Sequence, residues 1–284
     1  MTFTDKRIKT LFRSVSSAIV RLKDAVSPKR VHRLRTSIRR IQSAVTYTQP
    51  KLGRKQQDAL DQLGKLRKRA GKVRDLDVQM VLLRSLGNGS TRPDRRSLQE
   101  FFAARRVRQA HRLLATVQKL QRAKHLDHLE RLAAAVQTSW TASNVPDRPL
   151  RQARTQIAGL DLHVGSHAQL RPGELHQVRI ALKLARYLAE LADESEERQR
   201  LLEQLKAVQD ALGEWHDWEE LARAVEKEFS HLVNRPIMGE IRALFAAKQA
   251  AARFAVSNFA IQYQIQAGKP ARSVAARGLA QRIS

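Results

Sequence analysis

The stretch VHRLRTSIRRIQ, residues 31–42, decides the fold. Its apolar residues Val31, Leu34, Ile38 and Ile41 recur at intervals of three and four. At 100° per residue they fall within about 80° of one helix face, which must be buried. His32, Arg33, Arg35, Arg39 and Arg40 share the remaining positions with polar residues. His32, Arg35 and Arg39 (i, i+3, i+7) gather within about 60°, beside the apolar stripe and not opposite it. Such a row lines a groove between helices, where cations crowd and desolvate one another unless an anion fills the space. Arg33 and Arg40 flank the other side and are expected to face solvent.

A second stretch, LHQVRIALKLARY (175–187), repeats the pattern. Aligned at an offset of 144, it keeps the inner row as His176, Arg179 and Lys183 and adds Arg186 one turn on. The outer positions have become Gln177 and Leu184. A solvated charge run would not keep one row and lose the other. Two more segments align at nearly the same distance. LGKLRKRAGKVRDLD (63–77) matches LKAVQDALGEWHDWE (205–219) at offset 142, and FFAARR (101–106) matches LFAAKQ (244–249) at offset 143. Three near-equal offsets in one order predict an internally duplicated helical bundle, a period too long for a solenoid. The predicted division is residues 1–143, residues 144–264, and a basic tail, 265–284, expected to be disordered.

Elsewhere the three-and-four spacing persists in IKTLFRSVSSAIVRL, LQEFFAARRVRQAHRLLATVQ and IMGEIRALFAAKQAAARFAVSNF, and no stretch alternates with period two. Breakers at Pro28, Pro50, 87–94, 144–149, 164–173 and 234–236 divide the chain into about ten helices. The fold class is all-α.

With 284 residues and 42% apolar content the chain can bury a proper core. No cysteine is present, so a thiolate zinc site, a disulfide framework and a cysteine nucleophile are excluded. Neither a secretory leader nor an apolar run of membrane-spanning length occurs, which predicts a cytoplasmic protein with no membrane insertion. The formal net charge is +26, and residues 1–140 hold 33 Lys and Arg against 10 Asp and Glu, whereas residues 141–284 hold 20 against 17. That imbalance calls for a polyanionic partner. Aromatic residues are 5% and do not interleave with the basic ones, which disfavours base stacking on single strands.

Two further basic clusters lie in the first half. Lys65, Lys68 and Lys72 share one face, with Arg67, Arg69 and Arg74 around them; Lys206 is their thin counterpart in the second half. Arg105, Arg108 and Arg112 are in register, and Lys248 corresponds to Arg105. The first half is therefore expected to supply most of the affinity. No glycine-rich phosphate cradle or nucleophile elbow is found, and no catalytic, cofactor or metal site is predicted. His163 and His167 fall in a breaker segment, and His125 and His128 lie among basic residues, a poor setting for a cation. Asp75, and Asp217 with Glu220, read as helix N-caps that also orient nearby arginines. Trp215 and Trp218 read as packing residues of the second half.

VHRLRTSIRRIQ and LHQVRIALKLARY, each followed by AGKVRDLDV or LKAVQDALGEWHD, resemble the CHAD family, the conserved histidine α-helical domain, over roughly residues 4–262. The resemblance implies two pseudo-symmetric up-and-down four-helix bundles. It also implies a basic cavity between them that binds inorganic polyphosphate, and an association with polyphosphate granules. Carried over by position, it assigns His32, Arg35, Arg39, His176, Arg179 and Lys183 to the cavity, with Arg40 a looser match. Leu184 and His216 depart from the family pattern. Family members often carry an upstream triphosphate-hydrolase domain with alternating glutamates; no such run occurs here, which implies a stand-alone, non-catalytic binder. The alternative is a sequence-independent nucleic-acid binder using convex faces around Arg33, Arg40 and Arg69.

Overall fold

A computed structural model describes residues 3–87, 91–122, 125–142, 148–160 and 170–263. Among these the architecture is all-α. The helices are α1 (Phe3–Arg21), α2 (Pro28–Thr48), α3 (Arg54–Ser85), α4 (Arg92–Arg122), α5 (His125–Ala142), α6 (Arg148–Ala158), α7 (Pro172–Leu191), α8 (Glu196–Glu228) and α9 (Pro236–Gln262). A 3₁₀ turn, Ser230–Leu232, lies between α8 and α9. The basic tail predicted at 265–284 lies outside the described residues, as do His163 and His167.

Local chemistry sets the starts of the helices that matter most. Pro28 occupies the first turn of α2, where its missing N–H costs nothing, and the Ser27 hydroxyl accepts a hydrogen bond from the Arg30 N–H. Pro172 opens α7 in the same way, with the Arg171 N–H donating to Glu174 Oε2 at 2.7 Å. Ser195 caps α8 by accepting from the Arg198 N–H at 3.1 Å. At its other end α2 stops at Gln49, which takes a left-handed conformation (φ 45°) and donates its N–H to the Val45 carbonyl.

Apolar side chains collect into three cores. The first joins α1, α2, α5, the N-terminal half of α3 and the C-terminal half of α4, with Val31, Leu34, Ile38 and Ile41 all fully buried in it. The second joins α6, α7, the N-terminal half of α8 and the C-terminal half of α9, around Leu175, Leu182 and Trp215. The third is built where the long hairpins α3/α4 and α8/α9 meet: Leu83, Phe102, Trp218, Leu221 and Ile241 pack there. Trp215 and Trp218 are thus both packing residues, in different cores.

Ion pairs between the halves reinforce this frame. Arg7 meets Glu194 at 3.0 Å, Arg40 meets Glu190 at 2.7 Å, Arg105 meets Glu228 at 2.6 Å and Arg235 meets Asp94 at 3.1 Å. Several carboxylates of the second half therefore neutralise cations of the first. Asp75 and Asp217 do not cap helices: α3 runs unbroken through Asp75 and α8 through Asp217 and Glu220. The helices have 32 and 33 residues, about three times what a cap at those positions would open, and their distal parts pack into the third core. No helix among the described residues is long and apolar enough to cross a membrane.

Candidate functional site

Where α2 packs on α7 and α3 on α8, the four helices enclose a cavity of about 250 Å³. The α2 wall contributes His32, Arg35, Thr36 and Arg39, one row of the helix buried by its other face. From α3 come Arg74, Asp75, Val78 and Gln79. The α7 wall contributes Arg179, Lys183 and Tyr187, and α8 adds Gly213, His216, Asp217 and Glu220. Four arginines and Lys183 thus face three carboxylates, with His32 and His216 between them.

The pairing is incomplete. Arg35 reaches Asp75 at 3.1 Å. Glu220 is drawn off to Arg223 at 3.1 Å, as is Glu219 at 2.9 Å. Among the described residues Arg39, Arg74, Arg179 and Lys183 form no salt bridge. The Nε atoms of Arg39 and Arg179 are buried without a hydrogen-bond partner. Buried donors in that state cost free energy until an acceptor arrives.

The proton affinities record the same crowding. Burial and then Arg179, Arg39 and Arg35 push the Lys183 ammonium well below its ordinary range. Burial also lowers Arg179 to about 10, with Arg39 and Arg35 adding to it and Asp217 opposing it. Arg39 is lowered by burial and by Arg35, while the Tyr187 hydroxyl beside it pulls the other way. His216 is driven down to about 2 by burial and by Arg179, Lys183 and His176. His32 and His176 are lowered as well, burial first and neighbouring cations next. Asp217 is raised by burial against the pull of Arg179 and Lys183.

A model of the CHAD domain matches residues 7–226, a span that includes every side chain of this cavity. The chain belongs to the CHAD domain family. Among solved structures, a crystal structure of the CHAD domain from the plant Ricinus communis is similar to it, with a TM-score of 0.56 and 19% identity over 97% of this chain and 88% of that one. At that identity the likeness concerns the fold. A search of the curated proteins finds no match.

Six of the residues singled out in the sequence meet in this cavity: His32, Arg35, Arg39, Arg74, Arg179 and Lys183. His176 is half-buried nearby, its ring 5.7 Å from that of His216. Arg40 is partly exposed and lies outside the cavity; it shares Glu190 with Arg186, at 2.7 and 3.1 Å, and Arg186 also donates to Gln209 Oε1. Lys206 pairs with Asp210, Lys248 with Glu214 and Arg105 with Glu228, all outside the cavity. Lys65, Lys68, Lys72, Arg108 and Arg112 are exposed on α3 and α4.

Sequence reasoning missed Tyr187, Gln79, Thr36, Gly213 and the acids Asp75, Asp217 and Glu220 as lining residues. Tyr187 had a legible signal, since it continues the row His176, Arg179, Lys183 by one more turn. Arg67, grouped in the sequence with the basic cluster of α3, is buried. It sits four residues after Leu63 and three before Ala70, inside the apolar stripe, and is only 5% exposed. Burial, Arg39 and Arg35 lower it to about 10, so its charge is felt by the cations of the α2 row.

A potential cation-binding group, His216, Glu219 and Glu220, has its donor atoms within 4.8 Å of one another. Both glutamates already neutralise Arg223, and Arg179 and Lys183 press on His216. The chemistry of that neighbourhood favours an anion.

Proposed function

We propose that this CHAD protein binds inorganic polyphosphate, without turning it over, in the cavity between α2/α3 and α7/α8. The observation that carries the reading is the group of Arg39, Arg179 and Lys183, whose charges are desolvated, mutually repulsive and without carboxylate partners. A phosphate chain supplies what they lack. Its oxygens accept from guanidinium forks, its charge relieves the repulsion, and its flexibility lets it follow spaced cations without sequence. Release of condensed counterions makes the binding steeply salt-dependent. We read the two halves as copies of one helical unit, divided near residues 143–144, and a location on cytoplasmic polyphosphate granules follows from the same function.

The exposed cations Arg33, Arg108 and Arg112 favour a second reading, sequence-independent binding of nucleic acid on the outer surface. Competition separates the two. At physiological salt, inorganic polyphosphate should displace duplex DNA at equal phosphate concentration. Retention of duplex DNA against polyphosphate would overturn the cavity reading, because a duplex would then bind through the outer surface cations.

A further inference from the structure

Two residues of the cavity's α3 wall, Asp75 and Gln79, lie on a row that does not end at the cavity. Read backwards along the helix, the same row passes through Lys72, Lys68 and Lys65, at successive steps of three, four and three residues. At 100° per residue these five positions fall within about 80° of one another. At 1.5 Å per residue the three lysines extend the row by about 15 Å beyond Asp75. All three are exposed, and none forms a salt bridge among the described residues.

The other wall is built differently at the matching places. The residues 142 positions on from Lys65, Lys68, Lys72 and Asp75 are Ala207, Asp210, Glu214 and Asp217. The row leaving the cavity along α8 therefore carries carboxylates where α3 carries ammonium groups. Lys206 and Lys248 are spent on those same carboxylates, at 2.7 Å each. An anionic chain emerging from the cavity meets free cations on one side and closed ion pairs on the other.

Resting on the polyphosphate reading above, we infer that the cavity is the inner end of a one-sided track, and that phosphate chains too long for it leave along Lys72, Lys68 and Lys65 of α3 and not along α8. The protein thereby discriminates by chain length, because only a chain that fills the cavity gains the lysines as well.

The test measures affinity for tripolyphosphate and for long-chain inorganic polyphosphate by calorimetry, on the full chain. Lys68→Glu/Lys72→Glu is compared with Lys206→Glu/Lys248→Glu, two variants with the same change in net charge. The α3 variant should lose about tenfold or more in long-chain affinity and no more than about threefold for tripolyphosphate, and its salt slope for long chains should flatten by about 1.4. The α8 variant should change the ratio of long- to short-chain affinity by less than about twofold. Equal losses in the two variants, or equal losses for both ligands, would overturn the track. Failure of tripolyphosphate to bind the unaltered protein would instead count against the cavity reading, and circular dichroism of each variant separates lost binding from lost fold.

Discussion

The two walls of the cavity, whose residues stand 142–144 positions apart in the sequence, manage charge differently. The α2/α3 wall is open. Arg35 has a partner in Asp75, His32 is exposed, and unmatched lysines run on along α3. The α7/α8 wall is closed. Arg179 is 9% exposed, Lys183 is desolvated, and Asp217 and Glu220 stand among them. Even the residue behind each row differs: Arg67 in the first half corresponds to Gln209 in the second, which donates to the Leu182 carbonyl and accepts from Arg186. The lesson is that charge count and charge value separate. The first wall offers more cations, whereas the cations with most to gain from an anion are those that have already lost their water, both cavity cations of the second wall but only Arg39 of the first.

The largest effect should come from breaking both walls at once. Arg39→Glu/Arg179→Glu should lower polyphosphate affinity by at least about 100-fold, since two charge-assisted contacts become repulsive. Arg33→Glu/Arg108→Glu, with an equal change in net charge on outer faces, should cost less than about threefold. Arg40 is unsuitable as an outer control, because it ties α2 to Glu190 of α7. Comparable losses in the two variants, read by calorimetry, would reduce the cavity to one patch of a generally basic surface.

The wall comparison also makes a stability prediction with an unusual sign. Lys183→Met removes a desolvated, unpaired charge and keeps most of the side-chain volume. In urea titrations without ligand it should stabilise the protein by about 1–3 kcal/mol while weakening polyphosphate binding. Arg35→Met should not stabilise, because Arg35 is only partly buried and already paired with Asp75. A destabilised Lys183→Met protein would show that the second wall tolerates its charge better than its surroundings indicate.

A smaller effect comes from shape. Gly71 and Gly213 hold matching positions, and a Cβ added at either would meet nothing within 4 Å. Only Gly213 lines the cavity. Gly213→Leu should therefore lower affinity by about tenfold with no loss of helix stability, whereas Gly71→Leu should leave affinity within about twofold. Equal behaviour of the two glycines would mean that the cavity is wider than it stands.

Much of this was legible beforehand, and the residues show why. The burial of Val31, Leu34, Ile38 and Ile41 follows from period alone, and so does the row His32, Arg35, Arg39 beside them. The matching row on α7 was legible because it repeats. Asp75 and Asp217 were misread because an acid ahead of an apolar run has the form of a cap, and only the third core shows that α3 and α8 continue past them. The pairing of Arg40 with Glu190 and of Lys248 with Glu214 could not be read at all. Those partners lie 150 and 34 residues away in the chain, and no periodicity links them.

The gentlest difference between the walls is protonic. His32 of the first wall, and His176 and His216 of the second, all have proton affinities below the ordinary value, so without ligand they are neutral at pH 7. The histidines of the unfolded chain still titrate near 6.5. Below that pH the unfolded chain binds more protons than the folded one, so stability should fall as pH drops from about 7 through 6. A phosphate chain opposes the fields that depress these groups, and binding should then take up protons. Polyphosphate affinity should accordingly rise by a few-fold between pH 7.5 and 6, less than tenfold per unit for each histidine that gains a proton. His32→Gln should remove more of that slope than His216→Gln, because His216 starts near 2 and has the furthest to climb. A pH-independent affinity would assign all three rings to hydrogen bonding in their neutral form, and a steeper slope lost with His216→Gln would reverse the order of the two walls.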